Sequence, residues 1–251
     1  MTTAVDVRIN GKLQWRVARV VHSESETESA QTIGLTVPGW SGHLAGQHID
    51  IKLTAEDGYS AQRSYSLSRP ADGERIELTV QQIPDGEVSP YLNGLVAGDE
   101  IELRGPIGGW FVWRPDHEAR VLLVGGGSGI VPLMAMLRQR VTVGSADFRL
   151  VYSVRSPDDV YYAQELRRLE RDCDWLQIAL VYTRVAAPQT TRPPGRVRAA
   201  DLVSTEWVPG DDVARVYICG PTGFVESVTA KLIEQGHQPS AIRTERFGPS
   251  S

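Results

Sequence analysis

RVLLVGGGSGIVPLMAMLRQR, residues 120–140, decides how the second half of the chain folds. Arg120 to Val124 is a short apolar, β-branched run of the kind that forms a strand buried on both faces. Glycines follow at 125, 126, 127 and 129, and a helical pattern then runs from about Val131 to Arg140 with Pro132 in its first turn. Further strands are predicted at Phe148–Val154, Leu176–Tyr182, Val213–Cys219 and Ser240–Glu245. Helical patterns lie between them at about Val160–Arg171 and Gly223–Gln235. Alternating strands and helices imply a parallel, Rossmann-like sheet covered on both faces.

Upstream the rhythm is different. Trp15–Val21, Thr32–Val37, His48–Leu53, Arg63–Ser68, Arg75–Gln81 and Glu100–Leu103 read as strands. Turn residues such as Asp57-Gly58 and Pro84-Asp85-Gly86 punctuate them. Six closely spaced strands with a single helical candidate, about Ser89–Leu95, predict a six-stranded antiparallel β-barrel. The expected boundary lies near Arg114-Pro115-Asp116, giving a barrel domain at 1–114 and an α/β domain at 115–251. No repeat or low-complexity segment interrupts this plan, and residues 189–198 read as a polar loop rich in Pro and Arg.

Composition narrows the function. The chain has 251 residues, 41% hydrophobic and 23% charged, with a formal net charge of −5. That balance disfavours nucleic acid as the main partner, because phosphate neutralisation needs a basic surface. No apolar stretch nears the roughly 20 residues that cross a bilayer, and the first residues lack a signal-peptide pattern. A cytoplasmic protein is the expectation. The two cysteines, Cys173 and Cys219, cannot supply the four thiolates of an iron–sulfur cluster. His22, His43, His48, His117 and His237 share no ligand spacing, so no metal site is expected.

Three stretches carry chemistry. Glycines at 125–129 let the backbone approach a pyrophosphate at a helix start, where its charge is favoured. The run departs from the GxGxxG fingerprint, with Ile130 at its third glycine position. Arg63 can grip phosphate oxygens through paired guanidinium hydrogen bonds. Tyr65 leaves the strand on the same face, and Ser66 faces the other way or sits at a strand end. Gly86-Glu87-Val88-Ser89 precedes a helix whose free N–H groups attract phosphate. Each also has a plainer reading: an amphipathic strand, a Ser-Pro helix start, and a structural glycine turn.

Taken together, RSYSLS (63–68), GEVSPYL (86–92), GGGSGIVP (125–132), CGP (219–221) and ERFGP (245–249) resemble, in order and spacing, the ferredoxin–NADP reductase superfamily. The resemblance runs from about Trp15 to Pro249. It implies FAD held by Arg63, Ser64, Tyr65, Ser66, Gly86, Val88 and Ser89. It implies a nicotinamide dinucleotide held by Gly126, Gly127, Ser128, Gly129, Cys219, Gly220 and Pro221. Thr183 and Arg184 match a hydroxyl–Arg pair of NADP-using relatives, so NADP(H) is expected over NAD(H), with Arg192, Arg196 and Arg198 able to join. Ser66, Cys219, Glu245 and Phe247 are the implied catalytic set: Ser66 near the reacting flavin atom, Cys219 against the nicotinamide, Glu245 in a proton relay with Ser66, and Phe247 covering the flavin. The implied activity is NADPH oxidation through FAD, with electrons released singly to a separate ferredoxin-like or oxygenase partner. Free flavin, a quinone or a ferric chelate is the alternative acceptor, and a non-catalytic flavin-holding subunit is the alternative class.

Overall fold

The computed structural model describes residues 13–116, 120–188, 190–203 and 213–248. Six strands form the first sheet: β1 (Arg16–Thr27), β2 (Ala30–Thr36), β3 (His48–Thr54), β4 (Ser60–Ser66), β5 (Arg75–Gln81) and β6 (Glu100–Ile107). Every pairing in it is antiparallel, in the order β4-β3-β6-β1-β2-β5. The sheet curls into the expected six-stranded antiparallel barrel without closing. Between the two edge strands the described residues form an isolated bridge of Leu67 with Leu78 and a Ser68 N–H to Glu77 O hydrogen bond at 2.8 Å, not a continuous ladder. Ile33, Leu35, Ile49, Ile51, Leu78 and Leu103 fill the interior. They alternate along their strands with outward polar residues, as a half-buried sheet requires.

Between β5 and β6 lies the short helix α1 (Ser89–Asn93). The second sheet contains β7 (Arg120–Gly126), β8 (Phe148–Val154), β9 (Leu176–Tyr182), β10 (Val213–Pro221) and β11 (Ile242–Phe247). It is parallel throughout, in the order β11-β10-β7-β8-β9. Helices α2 (Ile130–Thr142), α3 (Ala163–Asp172) and α4 (Thr222–Glu234) connect the strands. α3 starts three residues later than its sequence pattern suggests. Tyr161 and Tyr162 are pulled into the core, and Tyr162 adopts φ +56, a left-handed conformation in which no helix can run.

Each sheet has its own core, and the two domains adjoin at the edge of the larger one. Ala30 and Ala45 of the first domain pack in the same cluster as Leu123, Met134 and Phe148 of the second. The connection between them is fixed as well: Tyr217 Oη donates to Val112 O at 2.8 Å, Arg243 donates to Trp110 O at 2.9 Å, and Trp113 is fully buried. No helix among the described residues is long and apolar enough to cross a membrane.

Candidate functional site

The end of β4 lies at the open edge of the first sheet. Arg63 stands opposite Ile51 and Tyr65 opposite Ile49, so both share the face of those core residues. Tyr65 packs against that core, and burial pushes its phenol up to about 12. Arg63 is exposed, with one guanidinium nitrogen 2.7 Å from Gln62 O. Ser64 points away from them. Its hydroxyl donates to Asp50 Oδ1 at 2.6 Å, within a network where Asp50 also accepts from Gln62 and Arg104. The Ser64 hydroxyl thus points away from the face on which Arg63 and Tyr65 stand. Ser66 ends the strand opposite His48.

The 86–89 loop lies beside this strand. Tyr59, the residue before β4, donates its hydroxyl to Glu87 at 3.0 Å. This bond ties the loop to the approach of the strand that carries Arg63. Ser89, expected as helix cap or phosphate ligand, does not cap the helix with its hydroxyl, which accepts the Ile83 N–H at 3.0 Å and keeps its own proton to donate. Val88 holds the cap position and is buried.

On the other side, β7 runs into a tight turn at Gly127–Gly129 and then α2. Gly127 has φ +56, and a Cβ placed on it would meet nothing within 4 Å, so open space lies above the turn. Gly129 is the opposite case: its Cβ would fall 2.1 Å from the carbonyl oxygen of Cys219. In register, Cys219 stands between Gly125 on β7 and Glu245 on β11, and Pro221 stands beside Phe247. Gly126 and Gly220 both abut the Phe224 ring at the start of α4, and Ser128 is half-buried. The Cys219 thiol is fully buried. Burial, and secondarily Glu245, pushes it well above the usual thiol range, so it stays protonated and is no nucleophile.

The two halves meet at a contact that the sequence did not reveal. His48 Nδ1 of β3 lies 3.5 Å from Glu245 Oε1 of β11. Because His48 is also opposite Ser66, the expected Ser66–Glu245 partnership has His48 beside it. The other Glu245 oxygen, Oε2, is buried with no hydrogen-bond partner. A buried acceptor left unpaired is costly, and a bound group bearing a donor would satisfy it. In the sequence His48 is one of five histidines without ligand spacing, and its position at the head of a strand carries no signal for a partner 197 residues away.

At the C-terminal edge of the second sheet, Thr183 N donates to Val154 O and Arg184 N to Arg155 O. The Arg155 and Arg184 side chains are both exposed there. Arg192 does not join them. Its guanidinium forks onto Asp201, with both bonds at 2.7 Å, so it locks its own loop. Arg196 and Arg198 are exposed. These residues fit a flavin and a nicotinamide dinucleotide: an exposed guanidinium beside a tyrosine, open space over a glycine turn, and an unpaired carboxylate oxygen between them.

Family models agree with that division. The oxidoreductase FAD-binding domain matches residues 17–112, and the oxidoreductase NAD-binding domain matches residues 123–230. The chain is 30% identical to a flavohemoprotein of Vibrio cholerae over 248 residues, 94% of this chain and 60% of that protein. It is 31% identical over 209 residues to a glycine betaine monooxygenase reductase subunit of Chromohalobacter salexigens, 81% of this chain and 55% of that one. Among solved structures, the flavohem-like FAD/NAD-binding domain of a nitric oxide dioxygenase from Vibrio cholerae superposes with a TM-score of 0.80 at 27% identity. That match covers 93% of this chain and 99% of the other. The chain spans 55–60% of the length of these two curated relatives.

Proposed function

Since the chain belongs to the ferredoxin–NADP reductase superfamily, with an FAD-binding domain ahead of an NAD-binding domain, we propose that it oxidises NADPH through FAD. Its electrons go to a separate one-electron acceptor, a ferredoxin-like protein or an oxygenase component. The observation that carries this reading is the meeting of Ser66, His48 and Glu245 where the two domains join. Relatives named as monooxygenase reductase subunits support the choice of acceptor.

Bound FAD supplies two-electron uptake and one-electron release; the protein orients and tunes it. Arg63 neutralises the pyrophosphate, and Tyr65 supports the ring or its ribityl chain. Gly126–Gly129 admit the dinucleotide phosphates to the start of α2, with Cys219 and Phe247 framing the nicotinamide. Ser66, with His48 and Glu245 behind it, holds or moves a proton at the flavin edge. The division falls after Arg114. Hydride transfer itself requires mainly an approach of about 3–3.5 Å between the reacting atoms.

The test is an anaerobic titration of the FAD-loaded protein with NADPH and, separately, NADH, followed in the flavin absorption band. Fast bleaching by NADPH and slow bleaching by NADH is the expected result. Equal or reversed responses would remove the NADP preference, and a protein that failed to take up FAD would overturn the reading altogether. Ser66→Ala is expected to slow hydride transfer, and an unchanged rate would remove Ser66 from the chemistry.

A further inference from the structure

Glu77 is a buried carboxylate on the outward face of β5, where a lone charge would be strongly disfavoured. It is held from several sides. Its Oε1 accepts from Arg138 at 2.6 Å and from the Ser68 hydroxyl at 2.7 Å, and its Oε2 accepts from Arg69 at 3.2 Å. Arg138 comes from the other domain, on α2. The same guanidinium donates to Ser68 O at 2.9 Å and forks onto Glu165 of α3 at 3.1 and 2.7 Å. It also lies 4.9 Å from the centre of the Tyr162 ring. Tyr162 in turn donates its hydroxyl to Thr79 of β5, and its N–H to Glu26 of β1 at 2.9 Å.

The placement of these anchors matters more than their number. Ser68 is two residues beyond Ser66, on the segment that leaves β4. Arg138 is eight residues past Ile130, about 12 Å along the helix that begins at the glycine turn. One rigid guanidinium therefore ties the strand end carrying Tyr65 and Ser66 to the helix whose start would hold the nicotinamide pyrophosphate. We propose that Arg138, clasped by Glu77 and the Ser68 carbonyl, is a positioning residue that sets the approach of nicotinamide to flavin. This rests on the reductase reading given above.

Stability alone is a poor explanation for such a clasp. Replacing a buried ion pair by apolar or neutral groups of similar volume is often neutral, whereas removing one partner strands the other. The informative variant is therefore the double substitution Glu77→Gln/Arg138→Met, which removes the buried pair and leaves Glu165, the partly exposed partner of Arg138, to be solvated. With FAD bound and NADPH affinity retained, its hydride transfer is expected to fall by about 10²-fold, the loss associated with roughly 1 Å of misplacement. The charge-transfer absorbance between nicotinamide and flavin should weaken with it. Without any cofactor, amide hydrogen exchange at residues 66–69 and 127–131 should quicken. If the double variant does not fold, Arg138→Lys replaces it: the lysine keeps the charge but cannot span all three anchors, and the same readouts should move in the same direction. A folded variant with unchanged hydride-transfer rate and unchanged exchange would overturn the inference. A wild-type protein that binds FAD yet is bleached by neither nicotinamide would instead refute the function on which it rests.

Discussion

Gly129→Ala tests the junction between the two loops that frame the nucleotide. Gly129 has ordinary helical angles, φ −61 and ψ −12, so alanine brings no backbone strain there. The obstacle is steric. Its Cβ would lie 2.1 Å from Cys219 O, 2.5 Å from Cys219 C and 2.9 Å from Gly220 N. Ordinary contact begins at 3.4 Å, so the start of α2 and the end of β10 must separate by 3.4 − 2.1 = 1.3 Å. Backbone on both sides leaves no flexible side chain to yield. Overpacking of this kind costs about 1–3 kcal/mol, and each kcal/mol lowers Tm by about 2–4 °C in a chain of this size. A displacement above 1 Å at the nucleotide loop should also slow hydride transfer by about 10²-fold. Differential scanning calorimetry and anaerobic rapid mixing with NADPH measure the two effects. Gly223→Ala is the thermal control, since its Cβ would meet nothing within 4 Å, and it should keep or raise Tm. A Gly129→Ala protein with wild-type Tm and wild-type hydride-transfer rate would refute the argument.

Three further outcomes are expected. Arg184→Ala should weaken NADPH binding about ten- to hundredfold while leaving NADH unchanged, the worth of one charge-assisted hydrogen bond; equal losses for both nucleotides in binding titrations would dismiss the assignment. Asp50→Ala should cost about 2–3 kcal/mol in denaturant unfolding, because it strips Arg104, Gln62 and Ser64 of their shared acceptor. Stability should decline as pH rises above about 10, where unfolded phenols ionise. Burial raises Tyr65 to about 12 and also raises Tyr152, Tyr161 and Tyr162, so above pH 10 the folded state binds more protons than the unfolded state and loses ground. Equal unfolding midpoints at pH 9 and 11 would contradict this.

Local chemistry made much of the protein legible from its sequence. The β5, β8 and β9 spans coincide with the predicted Arg75–Gln81, Phe148–Val154 and Leu176–Tyr182, because apolar alternation or an apolar run between turn residues is enough to define a strand. The glycines at 125–129 announced a strand-to-helix turn for the same reason: their conformational freedom is a property of the residues themselves. Helix α3 was legible only in its middle, because Tyr162 is drawn out of the helix by Thr79 and Glu26, which lie far away in the chain.

What tertiary structure alone decided were the partners of outward-facing polar groups. The alternation along β3 to β5 shows that His48, Ser64 and Glu77 leave the barrel interior, and it is silent on what covers them. Asp50 captures Ser64 across the β3–β4 pairing, whereas Glu245 meets His48 and Arg138 meets Glu77 only because the second sheet docks on the first. Side-chain periodicity is set by the backbone within a few residues, whereas a salt bridge or a hydrogen bond is set by the position of both ends. For this chain the elements and the glycine turn are local facts, and the contacts that join them into one site are not.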